Sequence, residues 1–245
     1  MPTVFPQPRF AHKAESYNAH ATVQLEAANW LAEWLPNVSG SARVLELGAG
    51  TGLYTRQLFQ QFTDLTSTDL SPEMLRVSQE RIPGPEYTVQ DAWNPLLSPG
   101  TWDLVTASSL LQWATDPIRT LEHWTHALKE DGRILTAFFI DPTLTELETV
   151  IGEPGPVQWR DASTWQKIFD RVGLQTLRME TKTQRYNFSS AIDLWKALHG
   201  TGATVSRQLK PSALIRFFRD YEEQFSDASG IYSTWTTCRV ELNRA

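Results

Sequence analysis

The sequence has a single cysteine, no long apolar run and no excess of positive charge. Cys238 alone excludes an internal disulfide and a cysteine-rich metal site, because each needs more than one thiol. No segment approaches the roughly 18 consecutive apolar residues that a membrane-spanning helix requires. The first ten residues hold three prolines and no apolar stretch, unlike a secretory signal. We therefore expect a soluble, cytoplasmic globular protein.

Acidic side chains outnumber basic ones in the chain as a whole, and the two kinds are unevenly distributed along it. The 245 residues carry 22 lysines and arginines against 28 aspartates and glutamates, for a net charge of −6. This balance argues against a general nucleic-acid binder, which would present a basic surface. Residues 1–169 hold 11 basic and 20 acidic side chains, whereas residues 170–245 hold 11 and 8. Basic charge is thus concentrated in the last third of the chain.

Short apolar strands alternate with helical segments over the first 140 residues. Strands are predicted over 43–47, 65–69, 87–89, 102–107 and 133–139, with helices over 10–35, 54–62 and 116–128 and another that begins at Ser71. This alternation predicts a doubly wound, Rossmann-like α/β fold, with a parallel sheet and helices on both faces. After residue 141 the predicted elements are helices over 163–172, 189–199 and 211–225 and strands over 174–181 and 231–242.

A glycine-rich loop follows the first predicted strand. Gly48, Gly50 and Gly52 stand at alternate positions, which differs from the G-x-G-x-x-G spacing of a dinucleotide fold. No lysine follows at the spacing of a phosphate-binding loop. Glu46 adds a carboxylate beside the loop, which would repel a pyrophosphate and attract a cation. The loop is therefore typical of a site for a cationic ligand.

Two further acids end the next two predicted strands. Asp69 ends the second strand, where a carboxylate can accept both hydroxyls of a ribose. Asp91 ends the third strand, where it can accept from an adenine amino group while Ala92 and Trp93 cover the ring. The carboxyl ends of parallel strands meet at one edge of the sheet, where such folds bind ligands. The alternative is that these acids serve only as helix caps and turn formers.

This ordered set of motifs resembles the class I S-adenosylmethionine-dependent methyltransferases. The resemblance covers residues 44–139 and includes Trp102–Val105 and Leu128–Arg133. It implies a mostly parallel sheet with an antiparallel last strand, a helical lid, and S-adenosylmethionine as cofactor, with S-adenosylhomocysteine as product. The cofactor-binding residues that it implies are Glu46, Gly48, Ala49, Gly50, Gly52, Asp69, Leu70, Met74, Asp91, Ala92, Trp93 and Ser108.

On this resemblance we interpret residues 1–245 as a single methyltransferase domain. Within it, residues 10–36 form an N-terminal helical cap, 42–141 the cofactor-binding core, 142–230 the substrate-side insertions and helical lid, and 231–242 the last strand.

A narrower resemblance is to the malonyl-acyl carrier protein O-methyltransferases of biotin synthesis. It is carried by residues 10–18, 111–113, 194–204 and 231–235, in that order along the chain. It implies methylation of the free carboxylate of a malonyl thioester, which is already ionised at neutral pH and needs no general base. Two alternatives stay open: a methyltransferase for another small molecule, such as an aconitate-like carboxylic acid, and a non-catalytic binding protein of the same fold.

Six residues are candidates for handling the acceptor. They are Tyr17, Gln112, Trp113, Arg160, Lys196 and His199. Tyr17 can donate a phenol hydrogen over the cofactor, and Arg160 can pair with the malonyl carboxylate. For each candidate the alternative is ordinary core packing or a solvated surface position. His123 and His126 lie three residues apart, but no third ligand accompanies them, so no metal is expected.

The uneven charge suggests a protein partner. Four basic residues occur in the predicted lid, at Arg207, Lys210, Arg216 and Arg219. Acyl carrier proteins are acidic, and such a cluster can steer an acidic helix electrostatically. The alternative is a solvated helix face. We expect no nucleic acid and no membrane as partner.

Overall fold

The computed structural model describes residues 13–36, 41–153, 155–202 and 211–245. Strands are formed by Arg43–Leu47 (β1), Asp64–Asp69 (β2), Glu86–Val89 (β3), Trp102–Ser108 (β4), Leu128–Ile140 (β5), Leu174–Phe188 (β6), Ser226–Asp227 (β7) and Gly230–Arg244 (β8). Helices are formed by Thr22–Ala32 (α1), Thr55–Phe59 (α2), Pro72–Arg81 (α3), Pro117–Ala127 (α4), Thr145–Ile151 (α5), Ala162–Val172 (α6), Ala191–Gly200 (α7) and Pro211–Gln224 (α8). None of the described helices is long and apolar enough to cross a bilayer.

The strands form one mixed sheet in the order β3-β2-β1-β4-β5-β8-β6, with β7 paired to β8. The neighbours from β3 to β5 are parallel, whereas β8 runs antiparallel to both β5 and β6. The predicted fold class is therefore confirmed, including the antiparallel last strand. The direction in which consecutive strands are added to the sheet reverses at β1, which lies between β2 and β4. In folds of this kind ligands bind beyond the carboxyl ends of the strands at such a reversal.

Apolar clusters cover the two faces of the sheet. Successive residues of β1 pack into different apolar clusters. Val44 packs among residues of α1 and α2, whereas Leu45 packs among residues of α4 and α6. Both side chains are fully buried. Such burial on both faces explains why the central strands are continuous apolar runs without alternation.

The N-terminal prediction of one long helix over 10–35 is wrong. Residues 10–12 lie outside the described residues, Tyr17–Ala19 form a 3-10 turn, and the α-helix spans only Thr22–Ala32. The physical reason for the shorter helix is a contact between residues that precede it and a distant loop. Asn18 accepts a hydrogen bond from the Thr51 hydroxyl of the glycine loop, which holds this segment against the sheet edge.

Boundaries also differ in the second half of the chain. The predicted turn at Gly132 lies inside β5, where a Cβ atom would lie 2.8 Å from the carbonyl oxygen of Trp102. Strand β6 continues to Phe188 because β8 pairs with it along its whole length, despite its polar and exposed sequence. Helix α5 forms where only a loop was predicted, because its seven residues give too short a periodic pattern.

Two arginines attach the C-terminal end of α1 to the sheet. Arg239 of β8 is buried, and its guanidinium carbon lies 4.2 Å from the ring centroids of both Trp30 and Trp34. It donates to the Trp30 carbonyl oxygen at 2.6 Å and forms ion pairs with Glu33 and Glu180. Arg178 of β6 stacks on the same Trp34 ring at 4.2 Å. These contacts place positive charge and donors at a helix C-terminus, where carbonyl groups lack partners.

We expect Arg239→Lys to lower the free energy of unfolding by about 1–3 kcal/mol. A lysine keeps the charge but loses the planar stacking and the forked hydrogen bonds. Urea unfolding of both proteins would measure the change. The matched control is Arg56→Lys, an exposed arginine of α2, which should stay within about 0.5 kcal/mol of the parent protein. Equal values for the two variants would contradict a stabilising role for this contact.

Candidate active site

A cavity of about 370 Å³ lies at the carboxyl ends of the central strands. This volume falls in the range of sites for small ligands, which is about 300–1,000 Å³. Its walls come from α1, the glycine loop, and the segments that follow β2, β3 and β4. Of the residues predicted for the cofactor, those that line the cavity are Glu46, Gly48, Ala49, Gly50, Asp69, Leu70, Met74, Asp91, Ala92, Trp93 and Ser108.

Gly52 is the predicted residue that does not line the cavity. It has a positive φ of 87°, and a Cβ atom there would lie 2.6 Å from Ser78 Oγ and 2.7 Å from Ile82 Cδ1. Its glycine is therefore required for close packing against α3. Gly50 differs, because its φ is 55° and no heavy atom lies within 4 Å of a Cβ built on it. Its backbone thus faces open space at the cavity.

Asp69 ties the glycine loop to the start of α3. Its Oδ2 accepts from the Gly50 backbone N–H, and its Oδ1 accepts from that of Ser71, both at 2.9 Å. Burial raises the pKa of this carboxyl, although the two backbone donors and that of Leu70 act in the opposite direction. Each oxygen keeps a second lone pair, so the carboxylate can also accept from a ligand hydroxyl.

Glu46 is the most deeply buried acid at the cavity. Its side chain is 1% exposed, and its Oε2 accepts from the hydroxyls of Thr55 at 2.6 Å and Ser67 at 2.7 Å. Burial raises its pKa to about 7, and the charge of Asp69 contributes in the same direction. A buried acid next to a half-buried one, with no ion pair to either among the described residues, forms a site that favours a positively charged ligand.

A smaller cavity of about 90 Å³ adjoins the first. Five residues line both cavities: Tyr17, Gln24, Ser109, Trp113 and Pro156. The remaining wall of the smaller cavity is largely apolar and includes Phe139, Leu144, Leu147, Val157, Trp159, Leu198 and Trp235. The arrangement offers a larger compartment that contains the acids and, next to it, a small compartment with largely apolar walls.

The structure brings three of the six predicted acceptor residues to these walls. Tyr17 and Trp113 line both cavities, and Gln112 lines the smaller one. Burial and the charge of Asp69 raise the pKa of Tyr17 well above its ordinary value, so its phenol keeps its proton. Tyr17 can therefore donate a hydrogen bond at neutral pH but cannot act as a base.

The other three predicted acceptor residues do not line either cavity. Arg160 stacks on the Trp165 ring at 5.5 Å and donates to Gln158. Lys196 is exposed and forms an ion pair with Asp193 at 3.4 Å.

His199 is the third of these residues. Its Nδ1 lies 3.0 Å from the Trp195 carbonyl oxygen, and its ring centroid lies 4.1 Å from that of Trp195. Burial lowers its pKa, which favours the neutral ring. The spacing of positions 196 and 199 predicts that both residues lie on one face of a helix. It does not predict whether that face lines a cavity, and in the structure neither residue lines either of the two.

Sequence reasoning missed several lining residues. Gln24 and Ala28 come from α1, and Pro156 comes from the segment after α5. Ser109 and Leu144 are the described non-glycine residues with positive φ, at 56° and 57°. No motif marks any of them, since only the packing of distant segments brings them to the cavities.

Comparison with known proteins agrees with this geometry. A family profile described as "Methyltransferase domain" matches residues 45–134, which run from β1 into β5. The chain therefore contains a methyltransferase domain over these residues. S-adenosylmethionine is accordingly the cofactor of this methyltransferase.

Curated relatives extend over nearly the whole methyltransferase. A malonyl-[acyl-carrier protein] O-methyltransferase of Paenibacillus sp. (strain JDR-2) is 25% identical in an alignment that covers 91% of each chain. A protein of the same name from Anoxybacillus flavithermus is 27% identical in an alignment that covers 96% of this chain and 95% of its own. Among solved structures, a putative methyltransferase of Bacillus halodurans superposes with a TM-score of 0.66 at 12% identity. It covers 89% of this chain and 97% of its own.

The chemistry of the larger cavity fits the cofactor. S-adenosylmethionine carries positive charge, a ribose and an adenine, and the wall supplies three acids, open backbone at Gly50 and apolar cover. The Ser108 hydroxyl is buried there without a hydrogen-bond partner in the described part of the chain. Buried polar groups are normally satisfied, so an unsatisfied one at a cavity wall is consistent with a ligand partner.

We expect the free energy of unfolding to fall as the pH rises from about 4.5 to about 7. In the folded methyltransferase, Glu46 keeps its proton up to about pH 7, whereas its ordinary pKa is 4.5. The folded state therefore binds more protons over this range and is stabilised at its acidic end, by at most roughly 3 kcal/mol.

Urea unfolding at pH 5 and pH 8 checks this dependence without added cofactor. Glu46→Gln keeps the shape of the side chain and should lose most of the dependence. Glu122→Gln, at an exposed position of α4, is the matched control and should keep it. Identical profiles for Glu46→Gln and the parent protein would show that the carboxyl ionises normally.

Proposed function

We propose that the enzyme transfers the methyl group of S-adenosylmethionine to the free carboxylate of a malonyl thioester carried by an acyl carrier protein. The observation that carries this proposal is the similarity to malonyl-[acyl-carrier protein] O-methyltransferases along 91% of both chains. It extends through the segments that form the smaller cavity as well as through the cofactor domain. The reaction would belong to biotin synthesis, and the match to a methyltransferase domain favours an enzyme over a non-catalytic binding protein.

The proposed cofactor site assigns one part of S-adenosylmethionine to each acid. Asp69 would accept from the ribose hydroxyls, and Asp91 from the adenine amino group, with Ala92 and Trp93 against the ring. The Asp91 carboxylate is oriented by the Trp93 backbone N–H, which donates to its Oδ1 at 2.9 Å. Glu46 would lie near the positively charged portion. When bound, S-adenosylmethionine supplies a methyl group on a positively charged sulfur.

The smaller cavity supports an acceptor that needs positioning and no general base. A malonyl carboxylate is ionised at neutral pH, so no residue has to remove a proton. Apolar walls exclude water and strengthen hydrogen bonds to the acceptor oxygen. Tyr17, which lines both cavities and keeps its phenolic proton, is suited to orient the acceptor near the cofactor. Correct alignment of this kind lowers the barrier substantially.

Arg160 stays a proposed partner for negative charge on the acceptor. It follows Trp159, which lines the smaller cavity, and its described contacts are Gln158 and the Trp165 ring. Burial without a carboxylate lowers the pKa of its guanidinium, which still remains charged. A bound anion would relieve that unpaired burial. Lys196 and His199 do not line either cavity and would contact only the outer part of a carrier-bound substrate.

The acyl carrier protein would approach near α8. Arg216 is exposed there, and Arg219 forms an ion pair with Asp220 at 2.7 Å. Arg207 and Lys210, the other two basic residues proposed for this contact, lie outside the described residues. Electrostatic steering would then depend on Arg216 and on residues before α8.

Methyl transfer from labelled S-adenosylmethionine tests the proposed reaction directly. We expect malonyl-acyl carrier protein to be methylated, whereas acetyl-acyl carrier protein, which lacks the free carboxylate, receives no label. Malonyl-coenzyme A and aconitate complete the panel. Preferred methylation of aconitate would instead establish the small-acid alternative, and no transfer to either malonyl thioester would overturn the proposal.

The cofactor assignment predicts that Asp69→Asn weakens binding of S-adenosylmethionine tenfold or more. The amide keeps the size of the side chain but loses the negative charge, and hydrogen bonds to charged groups contribute about 1.5–3 kcal/mol. Isothermal calorimetry would measure the dissociation constants. Asp64→Asn is the matched control, because Asp64 lies on the same strand at an exposed position. Unchanged affinity in Asp69→Asn would mean that the ribose is bound elsewhere.

A further inference from the structure

Ser109 has an unfavourable backbone conformation at the junction of the two cavities. It follows the last residue of β4, and its φ of 56° lies in the left-handed region that costs a non-glycine residue about 1–2 kcal/mol. Leu144, with a φ of 57°, also lines the smaller cavity. Both strained non-glycine residues of the described chain therefore occur in the wall of the same small compartment.

Specific hydrogen bonds hold Ser109 in this conformation. Its backbone N–H donates to the Ala137 carbonyl oxygen at 2.7 Å, which anchors it to β5. Its own carbonyl oxygen accepts from Gln112 Nε2, also at 2.7 Å. Gln112 is buried, so the second bond is shielded from water. The surrounding structure thus fixes the strained backbone and, with it, the direction of the Ser109 side chain.

Two side-chain polar atoms of this arrangement have no hydrogen-bond partner in the described part of the chain. Ser109 Oγ and Gln112 Oε1 are both buried without a hydrogen bond to any described residue. An unsatisfied buried polar group costs about 1–3 kcal/mol. Replacing Ser109 by glycine would remove both the backbone strain and the unsatisfied hydroxyl. Their coexistence in the wall of a cavity points to a function for the pair.

Charge at the smaller cavity limits what the Ser109 hydroxyl can bind. Glu148 is the charged residue among its described lining residues, and it accepts from the Gly155 backbone N–H at 3.2 Å. The lining itself therefore offers an acceptor carboxylate only neutral donors, since Arg160 is not among the described lining residues. A serine hydroxyl is such a donor, and its strength increases where water is excluded.

We propose that the Ser109 hydroxyl donates a hydrogen bond to a carboxylate oxygen of the methyl acceptor and that Gln112 positions it. The proposal rests on the proposed function, because it names the residue that recognises the carboxylate in that reaction. Ser109 touches the substrate, whereas Gln112 acts through the Ser109 backbone. The pair would select acceptors with a free carboxylate over neutral acyl groups.

The test compares Ser109→Gly with Ser109→Ala. Both remove the hydroxyl, but glycine adopts the left-handed conformation freely and should raise thermal stability, whereas alanine keeps the strain. We expect kcat on malonyl-acyl carrier protein to fall tenfold or more in both variants. The dissociation constant of S-adenosylmethionine should stay within twofold. Wild-type kcat in the well-folded Ser109→Gly variant would overturn the proposal.

A double-mutant cycle tests the positioning role of Gln112. Gln112→Leu should lower kcat by a similar factor, and adding it to Ser109→Gly should cause little further loss, because both changes remove the same interaction. Independent, multiplicative losses would contradict action through Ser109. Ser98→Gly, an exposed serine in the loop before β4, is the control and should retain wild-type activity.

A binding measurement separates this inference from the proposed reaction. Malonyl-N-acetylcysteamine is titrated into the enzyme loaded with S-adenosylhomocysteine. We expect binding to weaken fivefold or more in Ser109→Gly. If the wild-type enzyme binds this probe but, when supplied with S-adenosylmethionine, methylates neither the probe nor malonyl-acyl carrier protein, the proposed function alone is overturned. Equal binding by both proteins, or none by the wild type, overturns the Ser109 assignment.

Discussion

The parallel pairing of β1 with both β2 and β4 is the constraint on which the rest of the site depends. It brings the carboxyl ends of three strands to one edge, so that side chains far apart in sequence meet within a cavity. Glu46 and Asp69, one from each of two neighbouring strands, become adjacent only through this pairing. Asp69 then holds the Gly50 backbone in place through its own hydrogen bond. The placement of the acids at the cavity and the conformation of the glycine loop thus both follow from this strand pairing.

Partial or complete burial of two neighbouring acids has an energetic consequence for the free enzyme. Neither Glu46 nor Asp69 forms an ion pair in the part of the chain described, and desolvation raises the pKa of each. The negative charge is therefore held at a disadvantage until positive charge approaches. A cationic cofactor that enters this compartment gains more from the acids than a neutral molecule of the same shape, which gives the site selectivity for charge as well as for shape.

The cofactor half of the site could be predicted from the sequence, but most of the acceptor half could not. Glu46 and Gly50 lie within a few residues of each other in a strand and its loop, and Asp69 ends the next predicted strand, so each of the three belongs to a recognisable local pattern. Gln24 and Pro156 reach the cavities only through long-range packing of α1 and of the segment after α5, and no local pattern encodes that. Ser109 illustrates a further limit, since a single serine gives no signal that its φ will be positive.

The positive excess in residues 170–245 is largely explained by structural contacts. Arg178 and Arg239 interact with carbonyl oxygens at the end of α1, and Arg244 donates to the Leu128 carbonyl oxygen at 2.9 Å, just beyond α4. Arginine at helix C-termini satisfies carbonyl groups and the helix dipole together. These side chains are committed to the fold and are not available to steer a partner. A net charge computed over a segment therefore overstates the surface that a carrier protein can recognise, and Arg216 on α8 is a better measure of it.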